Sequence, residues 1–559
     1  MKSRGLLDLR GKISSKIKIL GNKIDFKQLK WSLNSSWIPT AELENKEYNL
    51  KIEILCPIGQ KGFAYSISVI NKSLSKLKFE VEFYGKLDSM YHCINEESFF
   101  EGNYSVNKSS WSDGPVFSVS KGFPVINMAP MGSEDLKWKW EENLPFNWTG
   151  TKHIELLTGE NKTISLFWGF GYEEVSSLTQ AKHLKRVGIE SLRSEAENYL
   201  SKIIIKTKNK DFDMLVNRNK LFAFYYSTGL TIDTEERVSV TSRSPEYYVS
   251  AAYWDRDSLL WAFPAILLCD VKVARQILHY IATTQKRNVG VHSRFIDGTI
   301  LEPGFELDEL CSPIIAIDSY IKKVQDSSIL LDKEIETLII RIIEILEEEK
   351  EEKSGLYETF LQPTDDTIKY PYLTYNNVLV WKNYKILECW NFQNEKTKWK
   401  NLAEQTKLAI NKNCIKEIEN FKQYVWSVDT QGNFELYDEP PGSLMLLPVF
   451  GFCSKEDKTY INTCNRINDP AYLYSFSNNL FGAIGCAHAP HPWILSLANS
   501  IRVNHDESSI NKLLNSNMDG KIACESIDEN TGECTTGKAF ATCAGYLASV
   551  LHQERKKYE

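Results

Sequence analysis

Near residue 180 the chain changes its hydrophobic period, and that break constrains the fold more than any single motif. Before it, apolar residues alternate or cluster over strand lengths, as in Ile52-Glu53-Ile54-Leu55 and Lys78-Phe79-Glu80-Val81-Glu82-Phe83. Asn, Gly, Ser and Asp separate these runs, and no helix-period segment competes with them. After it, the spacing predicts helices over 189–203, 258–268, 271–285, 312–323, 333–349, 376–390, 399–410, 492–501, 508–515 and 539–553. Side chains repeat every two residues on a strand and every 3.6 on a helix, so the two patterns belong to separate cores. The expectation is a multidomain β + α protein. Residues 1–185 form a β-sandwich, 186–235 connecting helices, and 236–559 an (α/α)6 toroid of helical hairpins closed into a ring. A stacked solenoid is the alternative, but no fixed repeat of roughly 34 to 47 residues is visible.

The chain's 559 residues exceed one ordinary core, in keeping with that division. A net charge of −7 and no long basic block argue against nucleic acid as a partner. The first twenty residues are basic but carry no continuous apolar stretch, and no membrane span is expected. Twelve Cys without C-x-x-C pairs fit a reduced, cytoplasmic compartment better than a disulfide framework.

The less ordinary residues lie in loops between helices. Tyr253-Trp254-Asp255-Arg256-Asp257-Ser258 sets Trp, carboxylates and Arg before an apolar helix. Carboxylates accept from vicinal hydroxyls, Arg donates, and Trp covers an apolar ring face, so Trp254, Arg256 and Asp257 suit a sugar. Asp257 or Ser258 capping the helix is the plainer reading. Glu302, Glu306, Asp308 and Glu309 crowd one turn; either they favour a helix N-terminus, or Glu306 and Asp308 face a pocket. In Pro363-Thr364-Asp365-Asp366, Thr364 or Asp365 is expected to cap the next helix, leaving the other acid for proton transfer. Glu525 stands inside the apolar segment Ile522-Ala523-Cys524-Glu525-Ser526, either at a surface turn or in a pocket. His488 and His491 are three apart, but Pro490 and Pro492 prevent a regular helix there, and no further ligand set is visible. No metal and no cofactor is expected.

In order, these loops resemble glycoside hydrolase family 125, inverting exo-acting α-mannosidases on an (α/α)6 barrel. Trp254-Asp255-Arg256-Asp257-Ser258 resembles that family's Trp-Leu-Arg-Asp-Ser loop. Phe305-Glu306-Leu307-Asp308-Glu309-Leu310-Cys311-Ser312-Pro313 is similar to its Glu-Leu/Val-Asp-Ser-Leu-Cys-Tyr-Pro segment, and Phe360-Leu361-Gln362-Pro363-Thr364-Asp365-Asp366 to its Phe-Arg-Pro-Ser-Asp-Asp loop. Asp438-Glu439-Pro440-Pro441-Gly442-Ser443-Leu444, Ile484-Gly485-Cys486-Ala487-His488-Ala489-Pro490 and Cys524-Glu525-Ser526 resemble three further family loops. Cys524, Gln362 and Glu309 depart from the family's His, Arg and Ser.

The resemblance implies an inverting exo-glycosidase acting on an α-linked oligosaccharide, an α-mannoside before other sugars. Asp365 or Asp366 would be the general acid and Glu525 the general base. Trp254, Arg256, Asp257, Glu306, Asp308, Asp438 and His488 would hold the sugar. An α-glucosidase, including a debranching-type α-1,6-glucosidase, and a non-catalytic carbohydrate-binding protein are the alternatives.

Overall fold

The computed structural model describes residues 7–94, 96–231, 234–249 and 252–559. The described residues divide into two units: Leu7–Ile204 with 234–235, and Ile205–Thr231 with Glu236–Glu559.

The first unit is strand-rich. One sheet runs in the order Lys137–Trp140, Phe146–Leu156, Leu77–Ile94, Leu7–Ile19, Asn22–Lys23, with Glu96–Phe99 paired onto the long third strand. The other has eight strands, in the order Lys30–Asn34, Ile38–Glu44, Tyr48–Leu55, Gly62–Asn71, Asn161–Gly171, Pro124–Gly132, Pro115–Ser120, Asn103–Lys108. Strand alternation decides which side chains enter the core. Ser15, Ile17 and Ile19 are buried, while Lys16 and Lys18 point out to Glu82 and Glu80 on the neighbouring strand. Ile17, Val81, Phe83 and Trp148 of one sheet meet Ile52, Ile67, Leu166 and Trp168 of the other in one core. Trp148 and Trp168 pack edge to face at 5.4 Å. Helices α1 (Glu174–Val187) and α2 (Ile189–Ser201) complete this unit.

The second unit is a ring of helical hairpins, the (α/α)6 toroid. Its helices are α3 (Lys210–Tyr226), α4 (Phe263–Cys269, entered through a π-helical turn at Arg256–Ala262), α5 (Val271–Thr283), α6 (Leu307–Val324), α7 (Lys333–Glu348), α8 (Thr374–Trp390), α9 (Lys396–Asn413), α10 (Lys458–Asn468), α11 (Ile494–Asn504), α12 (Glu507–Asn515) and α13 (Ala541–Glu554). Helix α7 buries Ile335, Leu338, Ile339, Ile342, Ile343 and Leu346 on one stripe, and its N-cap Asp332 accepts from Glu334 N–H. The second members of the hairpins form the inner ring. The π turn packs on α6, α6 on α8, α11 on α13, and α13 back on the π turn. Between α8 and α11 the inner member is reduced to 3-10 turns at Pro440–Gly442 and Leu444–Leu446. Gly545 closes the ring: a Cβ there would lie 2.7 Å from Ala262 Cα, so only glycine lets α13 seat on the π turn.

Helix α6 starts at Leu307, five residues before the Ser312 expected from the sequence, and Pro313 lies inside it. Proline normally marks a first turn. Here burial of Leu307, Leu310 and Cys311 carries the helix further back, and Ser312 Oγ donates to the Asp308 carbonyl at 2.6 Å. Among the described residues no helix is long and apolar enough to cross a membrane.

Candidate active site

Three of the loops that enter inner helices converge on Arg256. This arginine is in the π turn, where the Phe263 N–H reaches back five residues to the Ser258 carbonyl. Pro264 follows at once and offers no N–H, which disfavours ordinary α turns there. The guanidinium is buried. Its Nη1 donates to Glu306 at 2.6 Å and Asp308 at 3.0 Å, and its Nη2 to Asp365 at 2.6 Å. Glu309 lies 3.5 Å from Nη2, and Asp257 3.7 Å from Nε. One arginine thus serves five carboxylates from three loops.

One cation does not neutralise so many buried acids, and their protonation responds. Burial pushes Asp257 up to about 7 against the pull of Arg256. Glu306 is also raised by burial, opposed by Arg256 and by its hydrogen bond with His292 Nδ1. Burial alone would lower the His292 imidazole, but that bond to Glu306 and the charge of Asp365 leave it raised. His292, Glu306 and Asp365 bring ligand atoms within 4.8 Å of one another. A metal does not fit that cluster well, because Arg256 already presents a cation to both carboxylates.

The loop Gln362-Pro363-Thr364-Asp365-Asp366 does not cap a helix, contrary to the sequence reading. Helix α8 begins only at Thr374, and its N-cap Leu373 makes no side-chain bond. The chain turns at Asp365 (φ 70°), a left-handed conformation that short polar side chains tolerate, and the two acids diverge. Asp365 goes to Arg256; Asp366 goes to His488 Nδ1 at 3.2 Å. The hydrogen bond with His488 holds Asp366 below the usual carboxylate range and raises His488.

On the last loop Glu525 is buried rather than set at a surface turn. Its carboxyl is raised by burial, partly offset by Thr536, His488 and Tyr248. The half-exposed Tyr248 donates to Glu525 Oε1 at 3.1 Å. Gly537 gives the carboxylate its room: φ is 58°, and a Cβ would lie 2.5 Å from Glu525 Cβ.

Of the residues singled out in the sequence, Arg256, Asp257, Glu306, Asp308 and Asp365 meet directly, and Asp366 meets His488. Asp257 lies inside the π turn, where it accepts from Thr542 of α13 at 2.9 Å rather than capping. Trp254 is buried edge-on to His292 (5.6 Å), and its Nε1 has no partner among the described residues. Asp438 points away from this group and accepts from Leu444 N–H at 2.8 Å; burial pushes it up to about 6. Its neighbour Glu439 reaches the acid loop instead, through Thr364 at 2.8 Å. Tyr248, His292 and Glu439 were not recognised from the sequence. His491 pairs with Glu529 at 3.1 Å, apart from His488.

Acids gathered by one arginine at the mouths of inner helices, on a helical ring, are the features to set beside known proteins. Residues 350–552 match the sequence model of the metal-independent α-mannosidases, glycoside hydrolase family 125, and this bears out the resemblance read from the loops. A solved family mannosidase from Streptococcus pneumoniae, complexed with α-1,6-mannobiose, is similar at TM-score 0.55 and 16% identity, over 66% of this chain and 99% of its own. A bacterial glucoamylase bound to acarbose is similar at TM-score 0.62 and 13% identity, over 98% of this chain and 88% of its own. A putative kojibiose phosphorylase from the human microbiome gives 0.58 and 12%, over 96% and 78%. At these identities the fold is what is shared. No curated protein sequence matches.

Proposed function

We propose that the chain is an inverting, exo-acting glycosidase that removes an α-linked terminal sugar, a mannoside before a glucoside. One observation carries the reading. His488 is hydrogen-bonded to Asp366 and lies in the field of both Glu525 and Asp365, so the acid loop and the buried Glu525 act on one histidine. Glu525, desolvated and therefore more basic, takes a proton from the attacking water. Asp366 protonates the leaving oxygen. Its contact with His488 lowers Asp366 and raises His488, which favours the charge-separated pair while water is present; a bound sugar displaces water and shifts the balance toward the neutral pair, with the proton on Asp366. Asp365 is less suited to that role, because protonation would break its pairing with Arg256. Arg256, Asp257, Glu306, Asp308 and Asp365 form the floor that reads the sugar's hydroxyls, and Tyr248 steadies Glu525. Inversion requires roughly 6.5–9.5 Å between acid and base.

Aryl α-glycosides and short α-linked oligosaccharides are the substrates to test, with the anomer of the first product followed by NMR. The β-anomer, released equally well after chelation, is expected. Release of the α-anomer overturns inversion, and sugar binding without turnover favours the binding-protein alternative. The 98% coverage against the glucoamylase favours α-glucoside as the second substrate, and faster cleavage of aryl glucoside than mannoside would select it.

A further inference from the structure

Glu439 has no role in the reaction as described, yet it is fully buried beside the acid loop. Its Oε2 is 2.8 Å from Thr364 Oγ1, while its Oε1 has no partner among the described residues. The contact is tight: at Gly442, on the turn after Glu439, a Cβ would lie 2.6 Å from Pro363 Cγ. Thr364 Oγ1 has three neighbours, Glu439 Oε2, Gln362 Nε2 at 3.3 Å and Asp366 Oδ2 at 3.4 Å. Gln362 is oriented by Trp426, whose Nε1 donates to its Oε1 at 3.2 Å, so its amide nitrogen faces Thr364 as a donor. A hydroxyl has one proton and two acceptor sites. An ionised Glu439 and an ionised Asp366 would compete for that proton, whereas a protonated Glu439 donates to Thr364 and frees the proton for Asp366.

We propose that Glu439 is a positioning residue, present as the neutral acid, which acts through Thr364 to aim a hydrogen bond at Asp366. The proposal rests on the reading of Asp366 as the general acid. Burial favours the same protonation state, raising the Glu439 carboxyl against its bond to Thr364. The groups facing Glu439 are Asp366 and Arg256 from the site, Asp438 and Tyr437 on its own loop, and Tyr472 and Cys486 from the adjoining segments. Arg256, the one cation among them, is committed to Glu306, Asp308 and Asp365.

Infrared difference spectra of the full chain, wild type against Glu439→Gln, read the protonation state without any turnover. The carbonyl band of a protonated carboxylic acid at neutral pH is expected, and its absence overturns the proposal. These spectra hold their meaning even if no glycoside is cleaved, which would instead sink the assigned activity. Kinetics test the coupling. Thr364→Val should lower kcat on poor leaving groups by about tenfold. It should also move the alkaline limb to higher pH, since losing the donated bond disfavours ionised Asp366. Thr364→Ser should restore both. Glu439→Gln, still a neutral donor, should keep the pH profile of the wild type. A Thr364→Val profile that falls without shifting, or a Glu439→Gln profile that shifts, refutes the relay.

Discussion

The two units bury charge to different extents; in the strand-rich unit buried Glu53 is matched by Arg193 at 2.8 Å. In the strand-rich unit the ion pairs Lys16–Glu82 and Lys18–Glu80 stand on the outer face of a sheet, while the interior holds Trp148, Trp168, Phe83 and aliphatic side chains. In the helical ring the interior mouth buries Arg256, Asp257, Glu306, Asp308, Glu309, Glu439 and Glu525. Exposed pairs add little to stability because water already solvates both partners. Buried charges are costly, and they persist where chemistry needs carboxylates held away from water. The comparison teaches that one unit is organised around packing and the other around poised protons.

The sharpest way to break that contrast is at Glu525. Glu525→Gln should leave the fold intact and lower turnover by roughly 10²–10⁴-fold, because an amide cannot take the proton from water. Near-normal kcat with an unchanged melting curve would remove Glu525 from the reaction. Next in size is the pair Arg256→Met and Trp148→Ala. The first strands several buried carboxylates, at a cost of about 3–5 kcal/mol to the ring. The second opens a cavity in the sandwich for a similar loss of about 3–5 kcal/mol, yet should spare kcat. Unfolding of each variant by circular dichroism, set beside its turnover, shows whether one unit fails without the other.

A smaller effect sharpens the same point through pH. Folded Asp257 keeps a proton up to about 7 that the unfolded chain releases near 3.8. Between those values folding takes up a proton, so raising the pH destabilises the ring. Its melting temperature should fall across that window, and Asp257→Asn should flatten the fall. Asp438, pushed up to about 6, contributes with the same sign over a narrower window. An unchanged slope in Asp257→Asn would contradict the raised value. Least of all, Lys16→Ala should change stability by at most about 0.2–1 kcal/mol; a larger loss would mean the sandwich depends on its surface charges.

Much of the architecture was legible along the chain. The run Lys78–Phe83 falls within the strand Leu77–Ile94, and the expected helix over 333–349 differs from α7 by one residue. Both signals are local: an apolar period is written in consecutive residues and is read the same way before and after folding. The site was legible in its residue types and less so in their partners. Arg256 and its acids were recognised because they crowd short loops. Thr364 and Asp365 read as a cap in the sequence but are not one, since the seven residues between Asp366 and Thr374 leave no mark of their direction. The sequence does not distinguish Asp438 from its neighbour Glu439, because which of them faces Thr364 depends on how the Pro440–Gly442 turn seats on Pro363.

The sequence by itself therefore determined the two-core organisation, the helical ring and the set of acids available for chemistry, all of them consequences of period and composition. Only the tertiary structure decided which acids share Arg256, that Asp365 and Asp366 part company, and that Tyr248 and Glu439 enter the site. Those outcomes depend on contacts between loops up to 277 residues apart, as for Tyr248 and Glu525. No local pattern encodes the distance, burial or hydrogen bonding that set a carboxylate's proton affinity.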